Sequence, residues 1–168
     1  MRIFLIGFMG CGKTTLGKKL ALKLNYSFMD LDHELEKKAG MSVADYFSAN
    51  GEQAFRLLEK ETLNQLDYPK NCIISSGGGT PCFHDNMEFM NRNGITIYIQ
   101  MSPLALARRL EHGRHKRPLI KDMDEAQLTA FIKDKLQERE HFYNLSFFTV
   151  KGINVTPEQV KKQLFQIL

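Results

Sequence analysis

The residues Gly7-Phe8-Met9-Gly10-Cys11-Gly12-Lys13-Thr14 satisfy the pattern G-x-x-x-x-G-K-[ST] in full. Glycines at those positions let the backbone curl tightly and turn its N–H groups inward, which makes a cradle for phosphate oxygens. Lys13 would reach the β- and γ-phosphates of a nucleoside triphosphate, and the Thr14 hydroxyl would ligate Mg²⁺. The motif also has the setting it needs. An apolar run precedes it, and an amphipathic helical pattern follows, whose N-terminal dipole adds to the field for anions.

Two carboxylates, Asp30 and Asp32, lie at the expected end of a second strand, where open parallel sheets bind their ligands. If the strand reaches that far, alternation turns both to the same side. One could hold Mg²⁺, directly or through water. The other could contact an acceptor hydroxyl and take its proton. Helix capping by Asp32 is the alternative. The third apolar run, Cys72-Ile73-Ile74-Ser75-Ser76, ends without a carboxylate. Asp30 therefore stands in for the metal-holding aspartate that many such enzymes carry on a later strand. Gly77-Gly78-Gly79 follows directly, at a cost in chain entropy that suggests close approach of a ligand to the backbone. A merely flexible loop is the alternative.

Arginines supply the complementary charge. Arg56 lies on the edge of a helical face beside Glu52, Glu59 and Lys60, where a surface salt-bridge ladder is the plain reading. Arg139 continues the apolar stripe Leu128, Ile132, Leu136. A charge on that face needs a partner, and arginine's fork suits a carboxylate or a phosphate. Arg108, Arg109, Arg114, Lys116 and Arg117 cluster in a basic stretch that reads as a lid over phosphates, or as a solvated basic loop.

The elements that must position these residues alternate in type. Apolar runs at 3–6, 27–30, 72–75, 95–99 and 147–150 read as five strands. Helical patterns occupy 14–24, 33–40, 42–49, 51–66, 85–93, 103–110, 125–142 and 157–168. On the helix over 51–66, Phe55, Leu58, Thr62 and Leu66 are expected on the buried side. Strands without strict polar alternation, interleaved with helices, predict an α/β protein. Its architecture would be a three-layer phosphate-loop kinase fold, with a five-stranded parallel sheet flanked by helices. No linker or internal boundary interrupts residues 1–168, so one domain is expected, with a helical substrate-binding region at 33–60 and the basic lid at 112–124.

Taken together, these motifs resemble the shikimate kinases, of the nucleoside-monophosphate-kinase-like fold. The resemblance rests on the order of Gly7–Thr15, Asp30-Leu31-Asp32, Gly51-Glu52-Gln53-Ala54-Phe55-Arg56-x-x-Glu59, Gly77-Gly78-Gly79, Arg117-Pro118-Leu119 and Arg139-x-x-x-Tyr143. It implies transfer of the ATP γ-phosphate to the 3-hydroxyl of shikimate, giving shikimate 3-phosphate and ADP in aromatic amino acid biosynthesis. It implies that Gly10, Cys11, Gly12, Lys13, Thr14 and Thr15 hold ATP, that Thr14 ligates Mg²⁺, and that Asp30 supports the metal through water. Asp32 would bind the shikimate hydroxyls and is the candidate base. Arg56 and Arg139 would clamp the carboxylate, and the backbone near Gly78 would complete that pocket. Phe47 and Phe55 would line the apolar side of the ring, and Arg117 would reach the phosphates as the lid closes. Lys13, Asp32 and Arg117 are thus the catalytic candidates. One stretch departs from the pattern: Lys151-Gly152-Ile153-Asn154-Val155-Thr156 lacks the arginine or glutamine that the family often places near adenine.

Bulk properties fit a small-molecule enzyme. The 168 residues are 43% hydrophobic and 25% charged, with a formal charge of +4. The basic residues are interspersed with acidic ones, which disfavours a nucleic-acid partner. No apolar stretch approaches a membrane span, and the apolar N-terminus reads as a strand, not an export leader. The three cysteines fit no zinc spacing and suit free thiols in a reducing cytoplasm. A monomer is expected. Two other readings stay open: a gluconate or nucleoside-monophosphate kinase of the same fold, and a catalytically weak ATP-binding module that regulates a partner.

Overall fold

Ile3, Phe4, Leu5 and Ile6 are all fully buried, and an unbroken apolar strand of this kind is stable only where both faces of a sheet are covered. A computed structural model of the chain describes residues 1–112 and 120–167 and shows how that cover is built. In chain order the elements are β1 (Arg2–Ile6), α1 (Lys13–Leu24), β2 (Ser27–Asp30), α2 (Leu31–Ala39), α3 (Val43–Gln65) and β3 (Cys72–Ser75). A 3₁₀ turn (Thr80–Cys82) then precedes α4 (Asn86–Asn93), β4 (Ile95–Gln100), α5 (Pro103–Glu111), α6 (Glu125–Tyr143), β5 (Phe148–Lys151) and α7 (Pro157–Ile167).

The five strands form one sheet in the order β2-β3-β1-β4-β5, and every neighbouring pair is parallel. β1 therefore lies at the centre. The chain leaves β1 toward β2 and leaves β4 toward β5, in opposite directions across the sheet, so a crevice opens at the carboxyl ends between them. Leu16 and Leu20 of α1 and Leu128, Ile132 and Leu136 of α6 join the buried core, with Val160 and Leu164 of α7. Among the described residues no helix is long and apolar enough to cross a membrane.

The two helices expected over 42–49 and 51–66 are both present in α3 and meet at a kink at Gly51, whose φ of 79° and ψ of 174° are tolerated essentially by glycine alone. The structure departs from the sequence reading in three places. The buried line of α3 is Phe55, Glu59, Thr62 and Leu63, so a carboxylate occupies a place where Leu58 was expected. β2 stops at Asp30, and Asp32 belongs to the first turn of α2, so strand alternation does not align the two carboxylates. Asp30, not Asp32, is the N-cap: its carboxylate accepts the Asp32 backbone N–H at 3.1 Å. Arg117 and residues 113–119 of the expected lid lie outside the described residues. The far end of that segment is anchored, with Ile120 buried and Asp124 and Gln127 closing a capping box at the start of α6.

Candidate active site

The phosphate loop joins β1 to α1. Gly12, with φ 99°, is the N-cap of α1, a left-handed conformation that side chains resist. The loop is closed by the Cys11 N–H, which donates to the Phe8 carbonyl at 3.2 Å. Lys13 is buried, and its ammonium donates to the carbonyls of Gly7 and Phe8 at 2.8 and 3.0 Å. Gly10 is partly open, Cys11 is buried, and Thr14 and Thr15 are exposed on the first turn of α1.

Thr14 and Asp30 meet. The Thr14 hydroxyl donates to Asp30 Oδ2 at 2.8 Å, with Ser75 Oγ at 3.4 Å on its other side. Hydroxyl and carboxylate oxygens suit a hard cation such as Mg²⁺, which commonly takes only one or two protein ligands beside phosphate and water oxygens. No group of three or more His, Cys, Asp or Glu placed to hold a metal ion occurs among the described residues.

Asp32 exposes much of its surface to the cleft, but its carboxyl group is crowded by protein. The loss of water around it pushes its pKa up to about 6. Repulsion from Asp30, Glu59 and Glu36 adds to that rise, and Lys13 works against it.

The glycine triplet is where these groups converge. A Cβ at Gly77 would stand 2.9 Å from Asp32 Oδ1 and 3.0 Å from Glu59 Oε1, one at Gly78 would stand 3.0 Å from the Met9 nitrogen, and one at Gly79 would stand 2.6 Å from Arg56 Nη1. The chain's own side chains and phosphate loop thus crowd all three glycines.

Arg56 is not a surface rung. Its side chain is 12% exposed, and its Nη1 donates to the buried Glu59 at 2.9 Å. The guanidinium stacks over Phe55 and over Phe83, at 5.0 and 4.0 Å from the ring centroids. Its buried Nε finds no partner among the described residues, a donor that an anion would satisfy. Phe47 meets Phe55 edge-on at 5.5 Å across the Gly51 kink.

Arg139 is half-buried, with its guanidinium 5.5 Å from the centroid of the Phe8 ring. One helical turn on, the fully buried Tyr143 donates its hydroxyl to the Gly78 carbonyl at 2.6 Å. Burial drives the Tyr143 phenol far above its ordinary pKa, against the pull of the adjacent Arg139. Tyr143 stacks on Tyr98 at 5.0 Å.

Sequence reasoning gave Arg109 to the basic lid cluster. The structure ties it instead to the Cys11 carbonyl at 3.1 Å and the Gly152 carbonyl at 3.3 Å. It links the phosphate loop to the stretch after β5 that lacks an arginine of its own. Thr80 and Phe83 also went unread, because nothing in their local spacing marks a residue that meets Glu59 or Arg56 across the fold.

The sequence profile of the shikimate kinase family matches residues 9–168. A shikimate kinase of Parabacteroides distasonis is 45% identical over 148 residues, 88% of this chain and 86% of the relative. The crystal structure of a shikimate kinase from Bacteroides thetaiotaomicron superposes with a TM-score of 0.91 at 39% identity, covering 99% of this chain and 97% of that one. A shikimate kinase from Acinetobacter baumannii, solved in complex with shikimate, superposes with a TM-score of 0.86 at 30% identity, covering 99% and 91%. Sequence and fold agree over nearly the whole length, and the chain belongs to the shikimate kinase family.

Proposed function

We infer that this enzyme transfers the γ-phosphate of ATP to the 3-hydroxyl of shikimate, as a step in aromatic amino acid biosynthesis. One observation carries the reading: the Gly77–Gly79 turn touches the phosphate loop, Asp32 and Arg56 directly and reaches the Arg139 helix through Tyr143. Donor machinery and groups suited to a hydroxylated acid therefore share one cleft.

In this reading Gly10 to Thr15 hold the phosphates, with loop N–H groups and Lys13 facing the charge that spreads over the transferring oxygens. Thr14 would ligate Mg²⁺, and Asp30 would support it through water. When bound, the metal neutralises charge on the β- and γ-phosphates. Arg56 and Arg139 grip the acceptor's carboxylate, Phe47 and Phe55 cover the apolar side of its ring, and the backbone near Gly78 closes the pocket. Asp32 orients the acceptor hydroxyl toward the γ-phosphorus. As the new P–O bond forms and the bond to ADP breaks, the hydroxyl proton passes to the Asp32 carboxylate. Arg117 is assigned to the phosphates through the lid. Most of the rate enhancement then comes from positioning and charge neutralisation. We take the protein to act as a monomer in the cytoplasm, a setting its three free thiols suit.

The test is ADP release coupled to a spectroscopic readout, with MgATP and shikimate, run beside gluconate and AMP. Release that requires shikimate is the expected result. Release only with another acceptor would keep the phosphotransferase and discard shikimate.

A further inference from the structure

Arg56 is held from behind by a chain of buried polar groups drawn from three elements. The Asn86 side-chain amide, at the start of α4, donates to the Thr80 carbonyl at 2.9 Å. The Thr80 hydroxyl donates to Glu59 Oε1 at 2.5 Å, and the other carboxylate oxygen of Glu59 accepts from Arg56 Nη1 at 2.9 Å. Thr80 and Asn86 have no exposed surface, and Glu59 is 5% exposed. Next to this chain, Lys60 and Asp85 form an ion pair at 2.8 Å that fastens α3 to the start of α4.

The hydrogen-bond arithmetic gives the chain a direction. A hydroxyl has one proton, and that of Thr80 is committed to Glu59 Oε1. Glu59 therefore presents its second oxygen to Arg56 at a fixed angle. The guanidinium cannot swing away, because the Phe55 and Phe83 rings confine it. What remains for a ligand is the edge that carries Nη2, whose one partner among the described residues is the exposed Glu52 at 3.4 Å, beside a buried Nε that has none there. That edge is the bidentate fork that fits a carboxylate.

We propose that Thr80, fixed by Asn86, is a positioning residue that acts through Glu59 to preset the Arg56 fork for the carboxylate of the acceptor. The proposal rests on the reading of Arg56 as an acceptor-binding residue. Its energetic sense is preorganisation: an arginine already fixed loses less rotamer freedom when the acceptor binds.

The experiment compares Thr80→Val, which keeps the shape and removes the hydroxyl, with Thr80→Ser, which keeps the hydroxyl and removes a methyl. Thr80→Val is expected to raise the KM for shikimate about tenfold while kcat and the KM for MgATP stay within about twofold, and Thr80→Ser is expected to restore the wild-type KM. In an Arg56→Ala background, Thr80→Val should cost little further kcat/KM, since both changes remove the same interaction. Equal losses in the two backgrounds, or a Thr80→Ser variant as impaired as Thr80→Val, would show that Thr80 only packs and would overturn the proposal.

A second arm needs neither a folded Thr80→Val variant nor an acceptor. In ¹⁵N-arginine-labelled wild-type protein, the Arg56 guanidinium, assigned by its loss in Arg56→Lys, should give resolved Nη signals from hindered rotation. A single averaged signal would overturn the proposal. Wild-type protein that shows a fixed Arg56 but releases no ADP with shikimate would count against the acceptor assignment and leave the positioning role standing.

Discussion

Asp32 carries the sharpest residue-scale expectations. With the general-base and hydroxyl-binding roles proposed for it, Asp32→Asn is expected to lose about 10²- to 10⁴-fold in kcat/KM, while affinity for ATP, measured by calorimetry, stays near that of the wild type. Its raised pKa also has a sign that can be checked. The folded chain holds the Asp32 proton more tightly than the unfolded chain, from the ordinary value of 3.8 up to about 6. Stability from this group is therefore full below pH 3.8 and is lost as pH rises toward 6. Because Asp32 remains open to water in the cleft, we discount the effect to on the order of 1 kcal/mol. Ligand-free Asp32→Asn should thus be more stable than wild type in urea at pH 7.5, by on the order of 1 kcal/mol, with the difference vanishing near pH 4. Arg139→Ala is expected to lose transfer and keep ATP binding. A variant at either position that loses nucleotide affinity with its fold intact would contradict the assigned role.

At the scale of elements, the helix over 43–65 and the glycine turn do the positioning. Gly51 has open space around its missing Cβ, so Gly51→Ala meets only backbone strain, about 1–3 kcal/mol. The variant should unfold at lower denaturant, and its KM for shikimate should rise as the Phe47–Phe55 pair separates, with nucleotide binding unchanged. Gly79→Ala makes the opposite kind of demand. There the added Cβ collides with the Arg56 guanidinium, which the Phe55 and Phe83 rings hold in place, so acceptor binding should weaken and the denaturation midpoint should fall as well. Denaturation curves beside Michaelis constants check both variants, and a Gly79→Ala protein with an unchanged KM for shikimate would show that the turn does not govern Arg56.

For the molecule as a whole, the site is assembled from the carboxyl edge of one sheet whose strands share a single buried core. We therefore expect one cooperative unfolding transition, with far-ultraviolet circular dichroism and tyrosine fluorescence changing together. Saturating nucleotide should move it upward, by about 2.7 kcal/mol at a hundred times its dissociation constant. Two separated transitions would mean that the region over 33–60 folds apart from the sheet. Arg109 belongs to this scale, because it ties the phosphate loop to the loop after β5. Arg109→Ala should reduce the nucleotide-induced shift without changing the KM for shikimate.

Local pattern was enough to determine the sheet strands, the phosphate loop and most helix positions. Apolar periodicity, glycines before Lys13-Thr14 and capping residues act within a few positions of one another, so they are legible along the chain. The sequence also offered Asp30, Asp32, Arg56 and Arg139 as the charged residues in need of a role. What it could not decide was which of them share a partner. Glu59 read as one rung of an exposed ladder, and only the packing of α3 against the turn after β3 buries it between Arg56 and Thr80. Arg109 read as part of a lid until the approach of α5 to the phosphate loop gave it two carbonyls. The three glycines suggested a ligand, and the fold also packs Asp32, Glu59, the phosphate loop and Arg56 against them, which no local pattern announced. In each case the deciding contact joins residues far apart in sequence, and burial there sets the cost of leaving a polar group unpaired, a quantity that has no local signature.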